Sequence, residues 1–339
     1  MVLIKKRNFK PYILNWLIPK LDVGTMIGNI YYMAVAGSAM EDRLKLNGIP
    51  DSEIFHTLTA AYAETTANQN DVILVAPGLY TETAAVAFTK DYTHIVGLGG
   101  PNNNSDFTMY GTHIYTATTA VAATIAVTGD YCQFHNFAVS NYGALSSNLA
   151  ALSLDGYNCI LKNVTMQGIM TSQQIAVATT ASLIMEANAH NSLIDDCVIG
   201  QNQWGERTAA GGHLLFSGAT AGIANNTFRN SLFLSSSSTA GVGMIRFDNV
   251  NNVDRMQLFD NCHFDNFSPD YAVLCTSIVT KAIQVLSSAN ISFRNCTSRG
   301  YTSFCSAAEN TAGVAGSLVE SNMTAGSANG GACAAGNAV

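Results

Sequence analysis

One six-residue pattern restricts the fold of this chain more than any other feature. It runs apolar, charged or His, Asn-like, small or apolar, any, apolar, and it recurs seven times between residues 134 and 324. The first copies are Phe134-His135-Asn136-Phe137-Ala138-Val139, Leu161-Lys162-Asn163-Val164-Thr165-Met166 and Ile194-Asp195-Asp196-Cys197-Val198-Ile199. Phe228-Arg229-Asn230-Ser231-Leu232-Phe233, Phe259-Asp260-Asn261-Cys262-His263-Phe264 and Phe293-Arg294-Asn295-Cys296-Thr297-Ser298 follow, and Val319-Glu320-Ser321-Asn322-Met323-Thr324 closes the series as a worn copy. The third positions are separated by 27, 33, 34, 31, 34 and 26 residues. A period near 30 with elastic spacing belongs to stacked coils joined by variable loops.

Each column of the alignment has a physical reading. The first is apolar in every copy and predicts an inward stack. The third is Asn in five copies, Asp196 in one and Ser321 in one. Asn and Asp tolerate the left-handed backbone of a sharp corner, and stacked Asn side chains can hydrogen-bond along a ladder. Strand, Asn corner, strand is one corner of a right-handed parallel β-helix. The second column, His135, Lys162, Asp195, Arg229, Asp260, Arg294 and Glu320, alternates in sign from Lys162 onward. Equivalent residues of adjacent coils lie about 4.8 Å apart, so this column predicts an exposed ladder of ion pairs. The expected fold is all-β, a single solenoid of about ten coils over residues 55–326. An N-terminal arm (1–54) precedes it and an irregular Gly/Ala-rich tail (327–339) follows.

Composition narrows the classes of function. Only 12% of the residues are charged and the net charge is −7, which argues against nucleic acid as a partner. No apolar run reaches the ~18 residues of a membrane span. The eight cysteines show no metal-type spacing and read as buried small apolar residues, several sharing repeat columns; no metal and no cofactor is expected.

Residues 1–54 differ from the remainder. Lys5, Lys6, Arg7, Lys10 and Lys20 precede the first acid, so a basic arm docking onto another protein is expected. Phe55-His56-Thr57-Leu58-Thr59-Ala60-Ala61-Tyr62-Ala63 then has helical spacing. Asn70-Asp71-Val72-Ile73-Leu74-Val75-Ala76-Pro77-Gly78-Leu79-Tyr80-Thr81-Glu82 and His94-Ile95-Val96-Gly97-Leu98-Gly99 follow it. This order of helix, D-x-I-x-V-x-P-G-x-Y-x-E and I-x-G-x-G resembles the opening of pectin-lyase-like β-helix proteins. Among these it is most similar to the β-helix virion proteins of tailed bacteriophages. The resemblance implies a capping helix, a homotrimer, and a structural protein on the surface of the virion. There the protein would be a capsid decoration or a fibre or spike subunit, bound to other virion proteins through the arm.

Candidate chemistry is sparse. Asp195-Asp196 resembles the paired aspartates of β-helix hydrolases, but both residues occupy repeat columns and are expected to be structural. Trp204, Glu206 and Arg207 lie together in a coil insertion, where an aromatic ring beside a carboxylate could hold a sugar of a host surface polysaccharide. Glycoside hydrolysis needs two carboxylates flanking the bond, and no such pair is evident. The esterase signature with a catalytic Asp is absent, and Gly211-Gly212-His213 reads as a turn. No catalytic residue is assigned. The rival expectations are a tailspike-type depolymerase (lyase, hydrolase or esterase) and a non-catalytic glycan-binding adhesin.

Overall fold

The computed structural model describes residues 27–101, 111–118, 120–147, 149–200, 206–209, 212–218, 222–237, 243–247, 255–266, 272–277, 291–299 and 301–305. They form a right-handed parallel β-helix. Nine successive strands, from Ile30–Met33 to Ile291–Arg294, pair in parallel along the main path of one large sheet. A second sheet of eight strands, from Val86–Phe88 to Tyr301–Cys305, closes the opposite wall.

The apolar column stacks in the expected register. Ile73, Ile95, Phe134, Leu161, Ile194, Phe228, Phe259 and Phe293 are paired one above the next, and all are buried. The Phe228, Phe259 and Phe293 rings lie nearly parallel, with centroids 4.6 and 4.8 Å apart. Each such side chain contributes roughly 1.5–3 kcal/mol by burial. The opposite wall supplies Val86, Ile125, Leu152, Leu183, Leu214 and Ile245 to the same core.

The Asn column forms the corner. Asn136, Asn163, Asp196, Asn230, Asn261 and Asn295 all have φ between 52° and 65°, where Asn and Asp carry the least strain. Asn163 Nδ2 donates to Asn136 Oδ1 at 2.6 Å, and Asn261 Nδ2 donates to Asn230 Oδ1 at 2.8 Å. Where Asp196 interrupts the amides, Asn230 Nδ2 donates to Asp195 Oδ1 instead, at 3.0 Å. Gly97 lies beneath the first rung: a Cβ there would meet the Asn136 carbonyl oxygen at 2.1 Å. A second left-handed corner precedes the apolar column by three residues. It is formed by Asn70, Tyr92, Tyr131, Asn158, Asn191 and Asn225, with φ between 52° and 57°.

The helix Leu58–Glu64 (α1) closes the first coil, as expected of the capping segment. Leu58, Ala61 and Tyr62 enter the core, and the Tyr62 ring packs on Phe88 at 4.2 Å. The buried Glu82 carboxylate accepts from Leu58 N and from the Thr59 hydroxyl at the helix start. Lys90 Nζ binds the carbonyls of Tyr62, Ala63 and Thr65 at its end. Both charges complement the helix dipole.

The boundary expected at residue 54 is corrected. Ile30–Met33 pairs with Asp71–Val75 and with Ile54–Phe55, so this segment already belongs to the solenoid. Ile30, Tyr32, Val72, Leu74 and Val96 face outward rather than into the coil. With Ile27, Ile49, Met40 and Leu44 they build a second apolar core. Met40 and Leu44 belong to the short helix Ala39–Leu46, capped by Ser38. These residues fold onto their own solenoid because its first rows offer an apolar outer face. Lys5, Lys6, Arg7, Lys10 and Lys20, Glu320 and the tail 327–339 lie outside the described residues.

Candidate functional site

At the Asn corner the chain changes direction, so the large sheet presents two outward surfaces. The one before the corner carries the charge column. Arg229 grips Asp195 with two hydrogen bonds, Nε to Oδ1 at 3.0 Å and Nη2 to Oδ2 at 2.7 Å. Arg294 holds Asp260 in the same way, at 3.1 and 2.7 Å. Lys162 Nζ is 4.0 Å from Asp195 Oδ2. The hydrogen bonds from Arg229 hold the Asp195 carboxyl below its ordinary value, with Asn230 and Lys162 acting in the same direction. Arg294 does the same for Asp260.

The ladder departs from expectation in one respect. Asp195 is not an exposed rung: its side chain is 6% exposed, against 20% for Asp260. Lys162, Arg229 and Asn230 converge on it from both neighbouring coils. Asp195 and Asp196 are thus a ladder rung and a corner, as their columns predict.

The surface after the corner is formed by two further columns. One contains His113, Ala138, Thr165, Val198, Leu232, His263 and Thr297. The other contains Tyr115, Ser140, Gln167, Gly200, Leu234 and Asp265. Its N-terminal end is a buried polar relay, with His113 Nε2 2.8 Å from Ser140 Oγ and Ser140 Oγ 3.1 Å from Gln167 Oε1. A hydroxyl has one proton. When that of Ser140 is directed at Gln167, His113 donates to Ser140 through Nε2–H and does not act as its base. Burial pushes the His113 pKa down to about 4, so the imidazole is neutral near pH 7.

The middle of this surface is apolar and half-buried, at Val198, Leu232 and Leu234. Its far end is polar and more open. His263 Nδ1 contacts Thr297 Oγ1, and His263 Nε2 is 3.9 Å from Asp265 Oδ2. Among the described residues, Asp265 is the one carboxylate in these two columns. The arrangement suits contact with a polymer along an apolar strip between polar ends. It does not set two carboxylates across a bond, as glycoside hydrolysis requires.

The sugar-holding group expected in the coil insertion is only partly described. Trp204 lies outside the described residues, and Glu206 is exposed. Arg207 is 1% exposed and points away from solvent. Its Nη2 donates to the carbonyls of Thr180 at 2.8 Å and Val177 at 3.0 Å, and its Nε donates to Ala209 O at 3.2 Å. Burial, with Arg246 nearby, lowers its pKa to about 9. Arg246 Nη1 binds the Ala178 carbonyl from the next row. Arg207 therefore ties the loop around 177–180 to the outer wall, and its assignment to glycan binding is corrected. The neighbouring His213 is also buried, with Nδ1 3.0 Å from Ser182 Oγ.

Sequence reasoning missed Arg246, the His113–Ser140–Gln167 relay and the His263 group. Thr165/Val198/Leu232 and Gln167/Gly200/Leu234 already share alignment columns, and that was the signal available for this second surface.

Among the described residues no three His, Cys, Asp or Glu side chains cluster as metal ligands. No helix there is long and apolar enough to cross a membrane.

No family model matches the sequence, and no curated protein matches it. Among solved structures, a pectin methylesterase in complex with a hexasaccharide is similar, with a TM-score of 0.53 and 15% identity, over 81% of this chain and 80% of that one. Pectin methylesterase PemA from Erwinia chrysanthemi has a TM-score of 0.53 and 14% identity, over 84% of this chain and 81% of that one. At such identities the likeness shows the fold, a pectin-lyase-like right-handed β-helix, and leaves the chemistry to this chain's own residues.

Proposed function

We propose that this chain is a structural protein of a tailed-phage particle, displayed on the capsid or as a fibre or spike subunit. The basic segment before residue 27 attaches it to another virion protein. One observation carries this reading: the acids that would attract an enzymologist serve as structural elements. Asp195 is clamped by Arg229, Asp260 by Arg294, and Asp196 turns a corner. The helix-then-strand order of residues 55–99 supports the phage setting through its resemblance to virion β-helices. Lys5, Lys6, Arg7, Lys10 and Lys20 precede the first acid of the sequence and would bind an acidic virion surface. Such an attachment is salt-sensitive. A homotrimer fits the low charge of the chain and is tested by light scattering.

Deleting residues 1–26 tests the attachment. The truncated chain should fold with unchanged thermal stability and be missing from purified particles. Full incorporation would overturn the anchoring role.

A second reading, action on a polysaccharide, is favoured by the apolar strip of Val198, Leu232 and Leu234 with polar groups at both ends. Incubation with host capsule and with pectin separates the two. Under the first reading no reducing ends, unsaturated sugars or methanol are released. Release that disappears in His263→Ala and Asp265→Asn would replace it with the second.

A further inference from the structure

Six of the eight cysteines occupy equivalent positions on adjacent coils. Cys159 lies opposite Cys132, next to the register pair Ile160–Gln133, and Ile160 N donates to Cys132 O at 2.9 Å. Cys296 lies opposite Cys262, bracketed by the pairs Asp260–Arg294 and His263–Thr297. On the second sheet, Cys275 and Cys305 are also register partners. The five cysteines whose side chains are described are buried free thiols. In each of the first two pairs the later thiol points back into the coil of the earlier one. Cys159 Sγ donates to Gly129 O at 3.5 Å, and Cys296 Sγ donates to Phe259 O at 3.4 Å. Each acceptor lies three residues before its partner cysteine. Adjacent parallel strands are about 4.8 Å apart, within the Cα separation that a disulfide spans. Cys197 is different: its row neighbour is Ser231, whose Oγ accepts from Cys197 N at 3.1 Å.

We propose that Cys132–Cys159 and Cys262–Cys296 are latent cross-coil disulfides, which staple neighbouring rows when the chain folds in the presence of a small-molecule disulfide oxidant. The inference holds under either functional reading. The chemistry is thiol–disulfide exchange. One protein thiolate attacks a sulfur of oxidised glutathione and releases one glutathione thiol. Its neighbour then attacks the protein sulfur of the mixed disulfide and releases the second. Two cysteine protons end on the two released thiols, and the oxidant takes up the two electrons. Contact between the thiols divides the pair nearer the C-terminus: Cys296 is lowered by Cys262, while Cys262 is pushed up by Cys296 and by burial, as Cys159 is by Cys132 and by burial. The thiolate is the attacking species.

The test is to fold the full chain in reduced and oxidised glutathione, block remaining thiols after denaturation, and map peptides without reductant. Bridges 132–159 and 262–296 are expected within one chain. Reactive thiols should fall from eight to four, or to two if Cys275–Cys305 also closes, and dithiothreitol should restore them all. Cys296→Ser should lose the second bridge and retain the first. Eight reactive thiols after prolonged oxidation, or bridges that engage Cys197 in place of these partners, would overturn the proposal. The wild-type map decides the matter even if the variant does not fold.

Discussion

A single outward column runs the length of the described solenoid, and its two halves are built differently. Tyr32, Leu74 and Val96 occupy it in the first rows; His135, Lys162, Asp195, Arg229, Asp260 and Arg294 continue it in register. The first three are 4%, 3% and 0% exposed, beneath the chain's own N-terminal segment. In the second half the Lys162, Arg229 and Arg294 side chains are 54%, 45% and 49% exposed. The backbone pairing is the same throughout. Whether a coil's outer face is covered or open is therefore decided by side chains, and the change comes between His135, still 5% exposed, and Lys162.

Acid should weaken the molecule first through its covered imidazoles. Burial holds His94 at about 3, His113 at about 4 and His213 at about 3, below the ordinary 6.5. Below that ordinary value the unfolded chain takes up protons that the folded chain refuses. Stability is full above pH ~6.5 and falls towards pH 4, by up to about 1.4 kcal/mol per pH unit for each histidine. The depressed Asp195 and Asp260 act in the same direction but at lower pH: their contribution persists through this window and is lost as the pH falls on through the carboxylate range. Urea midpoints between pH 7 and 4.5 should slope accordingly, and His213→Gln should flatten the slope by about a third. A level profile would contradict the burial of these rings.

Substitutions along the stack come next in size. Phe259→Ala opens a cavity between two parallel rings and should cost about 3–5 kcal/mol, measured by chemical denaturation. Leu74→Ala removes an outward side chain and would be nearly neutral if its row were open like the middle ones. Beneath the second core it should cost about 2–5 kcal/mol. Within the ladder, Asp195→Ala leaves Arg229 and Asn230 without their acceptor and should cost about 1.5–3 kcal/mol. Asp260→Ala, at a more exposed rung, should cost about 0.2–1 kcal/mol. Equal losses at the two aspartates would mean that the convergence on Asp195 has no energetic weight.

The stack, the Asn corner and the alternating charges were legible because each repeats at a fixed offset from the others. The second corner was legible in principle at Asn158, Asn191 and Asn225. Tyr92 and Tyr131 fill the same place in earlier rows and hide the column. The first row went unread for a related reason. Tyr32, Leu74 and Val96 carry no charge in the second column, and no Asn corner follows them. Arg207 could not be placed from sequence, since nothing local distinguishes a guanidinium that binds backbone carbonyls from one that faces solvent.

The two corners are five residues apart in four successive coils, at 131 and 136, 158 and 163, 191 and 196, and 225 and 230. Between one such unit and the next, the chain length drifts from 27 to 34 residues. The short unit works as a fixed gauge, and the segments between the two sheets work as slack. A foreign peptide grafted into the slack would be carried at a set height on a rigid rod, whereas one residue added inside the gauge would turn a core ring out to water. Length variation in a molecule of this design is confined to the slack, which makes the solenoid a carrier for interchangeable surface loops.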